Sequence, residues 1–209
     1  MKNLTRTLLL GAALVAAFPA LAQVNTVPQV GVTSGFVAKT TYSAAFIGLV
    51  PAASATDVIC LAGSATKTVK LIGVRLSGSA GTLVSLPITL VRRVSADTGG
   101  TAGSTTANPA NTISPRDTNN ATATAVPIAY TANPTIVDTA PTYLDSAELT
   151  LPVTSAGTSI TPLVFDYERV SNLTQPVTLR GVAAQACLNF NAVSVSSGVL
   201  NGTLTWTEE

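Results

Sequence analysis

The 209-residue chain contains no histidine, one methionine, one tryptophan and two cysteines, and only 10% of its residues are charged. Without histidine no Ser-His-Asp or Cys-His arrangement can be drawn, nor an imidazole-ligated zinc or haem, nor an imidazole base working near neutral pH. Eleven basic residues stand against ten acidic ones. That balance lacks the clustered positive charge with which proteins displace counterions from nucleic acid. A non-enzymatic protein with no cofactor, no metal and no nucleic-acid partner is the expectation. What remains is 46% hydrophobic, rich in Thr, Ser, Ala and Val and short of long charged helix formers, a composition that favours strands over helices.

Lys2 and Arg6 precede an apolar run over 7–18 interrupted only by Thr7 and Gly11, and Pro19-Ala20-Leu21-Ala22 closes it with an A-x-A pattern. This is the layout of a cleaved bacterial secretory signal peptide at 1–22. The run is too short to span a membrane, and nothing later in the chain resembles a span. Export places the mature protein in the periplasm, on the cell surface or outside the cell. Cleavage leaves 187 residues with nine basic and ten acidic side chains, enough for one β domain with a core of its own.

In an oxidising compartment Cys60 and Cys187 can form a disulfide. Closing a loop of more than a hundred residues is worth about 4–5 kcal/mol in the chain-entropy model. Two free thiols or an intermolecular link are the alternatives. In Cys187-Leu188-Asn189-Phe190-Asn191 the cysteine shares its strand face with two asparagines, so a bridge is expected on the outer, polar face of a sheet.

Short apolar runs punctuated by Gly, Pro, Asn and Ser predict about ten strands and no convincing helix: 41–50, 57–62, 67–76, 83–94, 125–130, 146–153, 162–168, 176–180, 186–195 and 199–207. Within 67–76 the two-residue period changes phase between Leu71 and Ile72, which predicts a β-bulge. Pro87 marks an edge or a kink. Leu200, Leu204 and Trp206 fall on one core face. The fold class expected is all-β, an antiparallel two-sheet sandwich with jelly-roll-like connections and a single domain over 41–209, a closed barrel being the alternative. Residues 95–124 read as a long loop, with Asp117 to Thr124 a weak candidate for a short helix. Residues 23–40 form an apolar N-terminal arm, with Val24, Val27, Val30, Val32 and Phe36, able to pair with its own sheet edge or with a neighbouring subunit.

Several motifs suggest chemistry and are better read as structure. Asp97-Thr98-Gly99 matches the aspartic-protease triplet, but those enzymes need two such carboxylates in a dry apolar cleft, and here polar flanks and glycines spell a turn. Asp166 and Glu168 leave one strand face at a spacing of about 7 Å, near that of glycosidase carboxylate pairs, yet they alternate with Phe165 and Tyr167 as on a solvated strand. Asp145 and Glu148 are too scattered for a calcium cage. Arg92 and Arg93 point to opposite faces, and Asn120, Asn172 and Asn201 read as turn residues. Thr, Ser and Asn faces with Tyr42, Tyr130, Tyr143, Tyr167 and Trp206 could hold sugar.

The phrases Gly48-Leu49-Val50-Pro51-Ala52-Ala53-Ser54-Ala55-Thr56-Asp57, Ala62-Gly63-Ser64-Ala65-Thr66-Lys67-Thr68-Val69 and Leu90-Val91-Arg92-Arg93 recur in a characteristic order. Ala129-Tyr130-Thr131-Ala132-Asn133-Pro134-Thr135, Val177-Thr178-Leu179-Arg180-Gly181 and the closing Trp206-Thr207-Glu208-Glu209 continue it. Together, from about Tyr42 to Glu209, they resemble a group of small uncharacterised β-rich proteins of proteobacteria and their phages and prophages. The resemblance implies a β-rich fold and a structural role, and transfers no site. The functional expectation is an exported structural subunit of a surface layer, filament or particle that self-associates or decorates a surface. A carbohydrate-binding module and a phage-related decoration protein are the alternatives.

Overall fold

The computed structural model describes residues 39–102, 113–154, 161–167, 175–194 and 198–209. The predicted signal peptide and the arm residues Val24, Val27, Val30, Val32 and Phe36 lie outside them, as do Glu168 and Asn172. Apolar residues in two-residue alternation drive twelve strands: β1 (Thr41–Leu49), β2 (Asp57–Ala62), β3 (Thr68–Ser79), β4 (Val84–Arg93), β5 (Thr101–Ala102), β6 (Ile113–Pro115), β7 (Val126–Ala132), β8 (Thr142–Leu151), β9 (Leu163–Asp166), β10 (Val177–Arg180), β11 (Gln185–Asn189) and β12 (Val199–Glu208). No described residue is helical, so no described helix crosses a membrane, and Asp117 to Asn120 makes a turn closed by Asn120 N–H on the Asp117 carbonyl at 3.0 Å, with Asn119 N–H donating to the Asp117 carboxylate.

The strands form two antiparallel sheets packed as a sandwich. The first runs β10-β3-β12-β1-β6, with β9 also on β3; the second runs β5-β7-β2-β11-β4-β8. Within 95–124, read from sequence as one long loop, β5 pairs with β7 in the second sheet and β6 with β1 in the first. Between the sheets lies one core, in which Phe46, Leu71, Leu76, Leu86, Ile88, Leu90, Leu188, Phe190 and Trp206 are all buried. Trp206 stacks on Tyr42 with ring centroids 5.9 Å apart, and Tyr42 donates its hydroxyl to Ala121 O at 2.6 Å.

Both sequence irregularities have a structural cause. Thr205 and Trp206 of β12 face Gly73 and Leu71 of β3, so Ile72 is the extra residue of a bulge at the expected place. The bulge keeps Val69 and Leu71 on the core face together with Val74 and Leu76. Pro87 lies where β4 pairs with β8 alone, because β11 covers only Thr89 to Arg93. Its carbonyl, on the side that β11 leaves open, accepts from Asn191 Nδ2 at 2.8 Å. A residue's amide and carbonyl share one side of a strand, so the missing proline N–H costs no ladder bond. Asn201 is a strand residue rather than a turn residue: its Oδ1 accepts from Gly48 N at 3.0 Å, where φ of +71° bends β1.

Within the first sheet β3 and β12 leave no room for a side chain at Gly78, where an added Cβ would stand 2.3 Å from the Val199 carbonyl. That contact is with backbone of the paired strand and cannot be relieved by a rotamer change. Gly78→Ala is expected to destabilise the protein by about 1–3 kcal/mol, read as a lower midpoint in urea unfolding.

Candidate functional site

The second sheet has an outer face that its own chain covers. β2 is buried along its whole length, because Ile59 and Leu61 enter the core while Cys60 points the other way. A bulge at Val58, itself in the core, turns Asp57 outward as well. Asn189 of β11 faces Asp57 and Leu188 faces Ile59, with Val58 unpaired between them. The insertion puts Asp57 on the same face as Cys60, although simple alternation would place the two on opposite faces.

Cys60 and Cys187 are direct cross-strand partners and form a disulfide that closes a sequence separation of 127. The bridge sits on the outer face, as the asparagine pattern indicates, but it is not a polar surface. Both cysteines are fully buried with Val91 and Tyr130, and Ile128 packs against them. Two connections make a lid here: 94–102 after β4, which brings an Asp97 oxygen within 4.8 Å of both sulfurs, and 133–141 after β7, which brings Asp138 to Arg93 and Val94. Thr98 and Thr135 exchange backbone hydrogen bonds of 3.1 and 2.7 Å. Gly99 and Gly100 take positive φ of 65° and 73°, and a Cβ on Gly100 would meet Ala132 O and Pro134 at 3.0 Å.

Beneath the lid lies the one strongly ionic centre among the described buried residues. Arg93, 2% exposed, donates from Nε and Nη2 to the two oxygens of Asp57, the second at 2.8 Å. Asn189 Nδ2 also donates to Asp57 Oδ1. Arg92, its neighbour, is half-buried on the opposite side. Asp138 accepts from Val94 N at 2.8 Å and Ala140 N at 3.0 Å. Those two amides, with help from Arg93, hold its carboxyl below the usual range.

Asp97, expected to be a turn residue, belongs to this centre. Its amide donates to Gln185 Oε1 at 3.1 Å and its side chain has no exposed surface. Oδ1 lies 3.7 Å from Arg93 Nε, yet neither carboxylate oxygen has a hydrogen-bond partner. Burial first, then the adjacent Asp57 carboxylate, raise Asp97 from its ordinary 3.8 to about 7, against the pull of Arg93. Burial and the same two carboxylates also push the Tyr130 hydroxyl up.

A second buried carboxylate meets the opposite environment. Glu208 of β12 accepts from four donors, Thr124 N, Thr124 Oγ1, Ala125 N and Trp206 Nε1, at 2.7 to 3.1 Å. Burial alone would raise it, but these donors hold it below its ordinary value. Ser64 Oγ joins at 2.7 Å from Thr124 Oγ1. The cluster ties the strand that closes the chain to the connection between β6 and β7.

The remaining candidates stay apart. Asp166 is half-buried on β9. Asp145 accepts from its neighbour Ser146 N at 2.8 Å, and Glu148 accepts from Ser85 Oγ. Of the candidate sugar-binding aromatics, Trp206, Tyr42 and Tyr130 are buried. Tyr167 is half-buried with its hydroxyl pushed to about 12 by burial and by Asp145. Tyr143 alone of the five is open to solvent, at 68%. It borders an open cleft of about 490 Å³ with Thr89, Leu144, Asp145 and Ser146.

Removing the guanidinium by Arg93→Met leaves Asp57 buried beside Asp97 with no counter-charge, and is expected to cost about 3–5 kcal/mol in denaturant unfolding. Glu208 contributes stability that is present above its ordinary value of 4.5 and is lost as pH falls through its lowered folded value. Glu208→Gln should therefore flatten the acid limb of a Tm-against-pH curve and cost about 1.5–3 kcal/mol at neutral pH. No protein-family model, curated protein or solved structure matches this chain, so its chemistry is read from its own side chains.

Proposed function

We propose that the protein is an exported, non-catalytic structural subunit that assembles by strand addition, the arm at 23–38 of one copy lying along β8 of the next. The observation that carries this reading is the edge of the second sheet. β8 is ten residues long, stands at the end of its sheet and, among the described residues, pairs with β4 alone, and exposes Tyr143 and Leu144. A long edge with apolar residues is a template for another strand. Its charges choose the partner. Asp145 and Glu148 would face like charges if β8 paired with a second β8, whereas 23–38 carries no charge and has Val30, Val32 and Phe36 in two-residue alternation.

The Ser146 amide donates to the Asp145 side chain instead of to β4, so it points to the free edge. Ser146→Pro removes that donor without removing a ladder bond. Light scattering after size exclusion is expected to show oligomers for 23–209, and monomers both for 40–209 and for 23–209 carrying Ser146→Pro. A monomeric 23–209, or oligomers that survive Ser146→Pro, overturns the reading.

A second reading, carbohydrate binding, rests on the Tyr143 cleft, where an exposed ring adjoins the Thr89 and Ser146 hydroxyls and the Asp145 carboxylate. Stacking on the ring with hydrogen bonds from those groups is the chemistry of sugar recognition. It calls for a monomer whose glycan-array signal disappears with Tyr143→Ala.

A further inference from the structure

We propose that Asp97 is a proton-operated latch: protonated, it seals segment 94–102 over the Cys60–Cys187 disulfide, and on losing its proton it releases that segment and opens the disulfide to reductants. The inference is independent of assembly and of sugar binding. It stands on the geometry beneath the lid. Asp97 reaches the outer face of the second sheet with its side chain wholly buried, neither oxygen hydrogen-bonded and Oδ1 3.7 Å from Arg93 Nε. One oxygen each of Asp57 and Asp97 and the two cysteine sulfurs lie within 4.8 Å of one another.

Every element around Asp97 contributes to the charge count. Asp57 comes from β2, Arg93 from β4, Asp138 from the connection after β7, and Tyr130 from β7, while β11 supplies the neutral Gln185 and Asn189. Three carboxylates share one guanidinium. Asp57 uses both oxygens on Arg93 and Asn189, and Asp138 is satisfied by backbone amides. Asp97 is left as the uncompensated charge. A metal ion does not suit the gap, because both sulfurs are committed to their mutual bond and Asp57 already accepts three hydrogen bonds from Arg93 and Asn189, which leaves too few free ligand atoms. A proton suits it: on Asp97 it removes the excess charge and makes a donor facing Asp57.

The direction follows from linkage. A carboxyl raised by folding contributes stability that is full below its ordinary 3.8 and lost as pH rises through about 7. The lid is the part positioned to yield, since Asp97 is anchored by its own amide on Gln185 and by the neighbouring Thr98–Thr135 pair, while the core behind β2 stays apolar.

The test measures disulfide reduction by a water-soluble phosphine, which gives up two electrons and takes oxygen from water to become the phosphine oxide while both sulfurs leave as thiols. Thiols are counted by alkylation and mass spectrometry at about pH 5.5 and about pH 8, for the wild type and for Asp97→Asn at each pH, so that the reagent's own pH dependence cancels. The amide of Asp97→Asn imitates the protonated carboxyl. The wild-type-to-variant rate ratio is expected to be at least tenfold larger at the higher pH than at the lower, since each pH unit between the ordinary 3.8 and about 7 shifts the opening equilibrium of the wild type tenfold and leaves the amide variant unchanged. A wild-type-to-variant ratio that does not change with pH overturns the latch. Hydrogen exchange on the wild type alone gives a second reading, which holds whether or not the variant folds. After correction for intrinsic exchange, amides of 95–102 should lose protection as pH rises from about 4 to about 7 and level off above that, while those of β2 and β11 keep theirs. Constant protection across the lid overturns the proposal as well.

Discussion

A guanidinium taken out of water must bring its partners with it, and the burial of Arg93 dictates what covers the second sheet. Its carboxylate partner, Asp57, has to stand on the same outer face, which requires the bulge at Val58. The bidentate pair leaves one Asp57 oxygen able to accept again, and Asn189 fills that place from the adjacent strand. Arg93 then extends Nη1 to the Asp138 carbonyl at 3.5 Å, drawing the 133–141 connection inward until the Thr98–Thr135 bonds lock the two halves of the lid together. Such an ion pair adds little net stability over an apolar pair of the same volume. What it supplies is position: the connections can close over the sheet in only one way without stranding a charge.

Glu208 and Asp97 show how completely donors decide the fate of a buried carboxylate. Both are hidden from solvent, and burial pushes both upward. Glu208 lies where two backbone amides, a hydroxyl and an indole converge, and it remains an anion that fastens the C-terminal strand to the 121–125 connection. Asp97 has no donor within reach and answers to charge alone, with a like charge in front and Arg93 to one side. The two therefore tilt stability in opposite directions with pH, Glu208 weakening the fold on the acid side and Asp97 loosening it toward neutrality.

The fold was largely legible because its information lies in alternation. β2 was read from sequence with the bounds it has and the other long strands within a few residues at most ends, whereas β5 and β6 fell inside what was read as one loop; the bulge at Ile72 announced itself because the hydrophobic phase flips from Val69 and Leu71 to Val74 and Leu76. The bulge at Val58 gave no such warning. It interrupts a strand whose every position is buried, so Val58 and Ile59 can both be apolar without breaking any pattern, and Asp57 is assigned to the wrong face by parity. The disulfide was legible as a possibility and its face correctly inferred from Asn189, but the cover over it comes from residues 94–102 and 133–141, distant in sequence and ordinary in composition. Asp97 followed by Thr and two glycines is a sound turn signal, and the chain does change direction at Gly99 and Gly100 with positive φ; that the Asp97 side chain turns inward depends on Arg93 and Gln185, which no local reading brings together.

The two outer faces of the sandwich are consequently unlike in what holds them. The outer face of the first sheet carries Arg75, open to solvent, with Ser77 and Thr205 half-buried. The second carries Cys60, Val91, Tyr130 and Cys187, a small apolar patch that burial favours, but the segments lying over it contribute mainly polar atoms. Amide-to-carboxylate bonds, a pair of threonine backbones and one unpartnered acid keep the lid in place, while the core on the other side of the same strands is held by Ile59, Leu61, Leu188 and Trp206. Apolar burial is nearly indifferent to pH, whereas a lid fastened by charge is not. The disulfide thus lies between a pH-independent core and a pH-dependent cover, and the strength of each side is set by a different force.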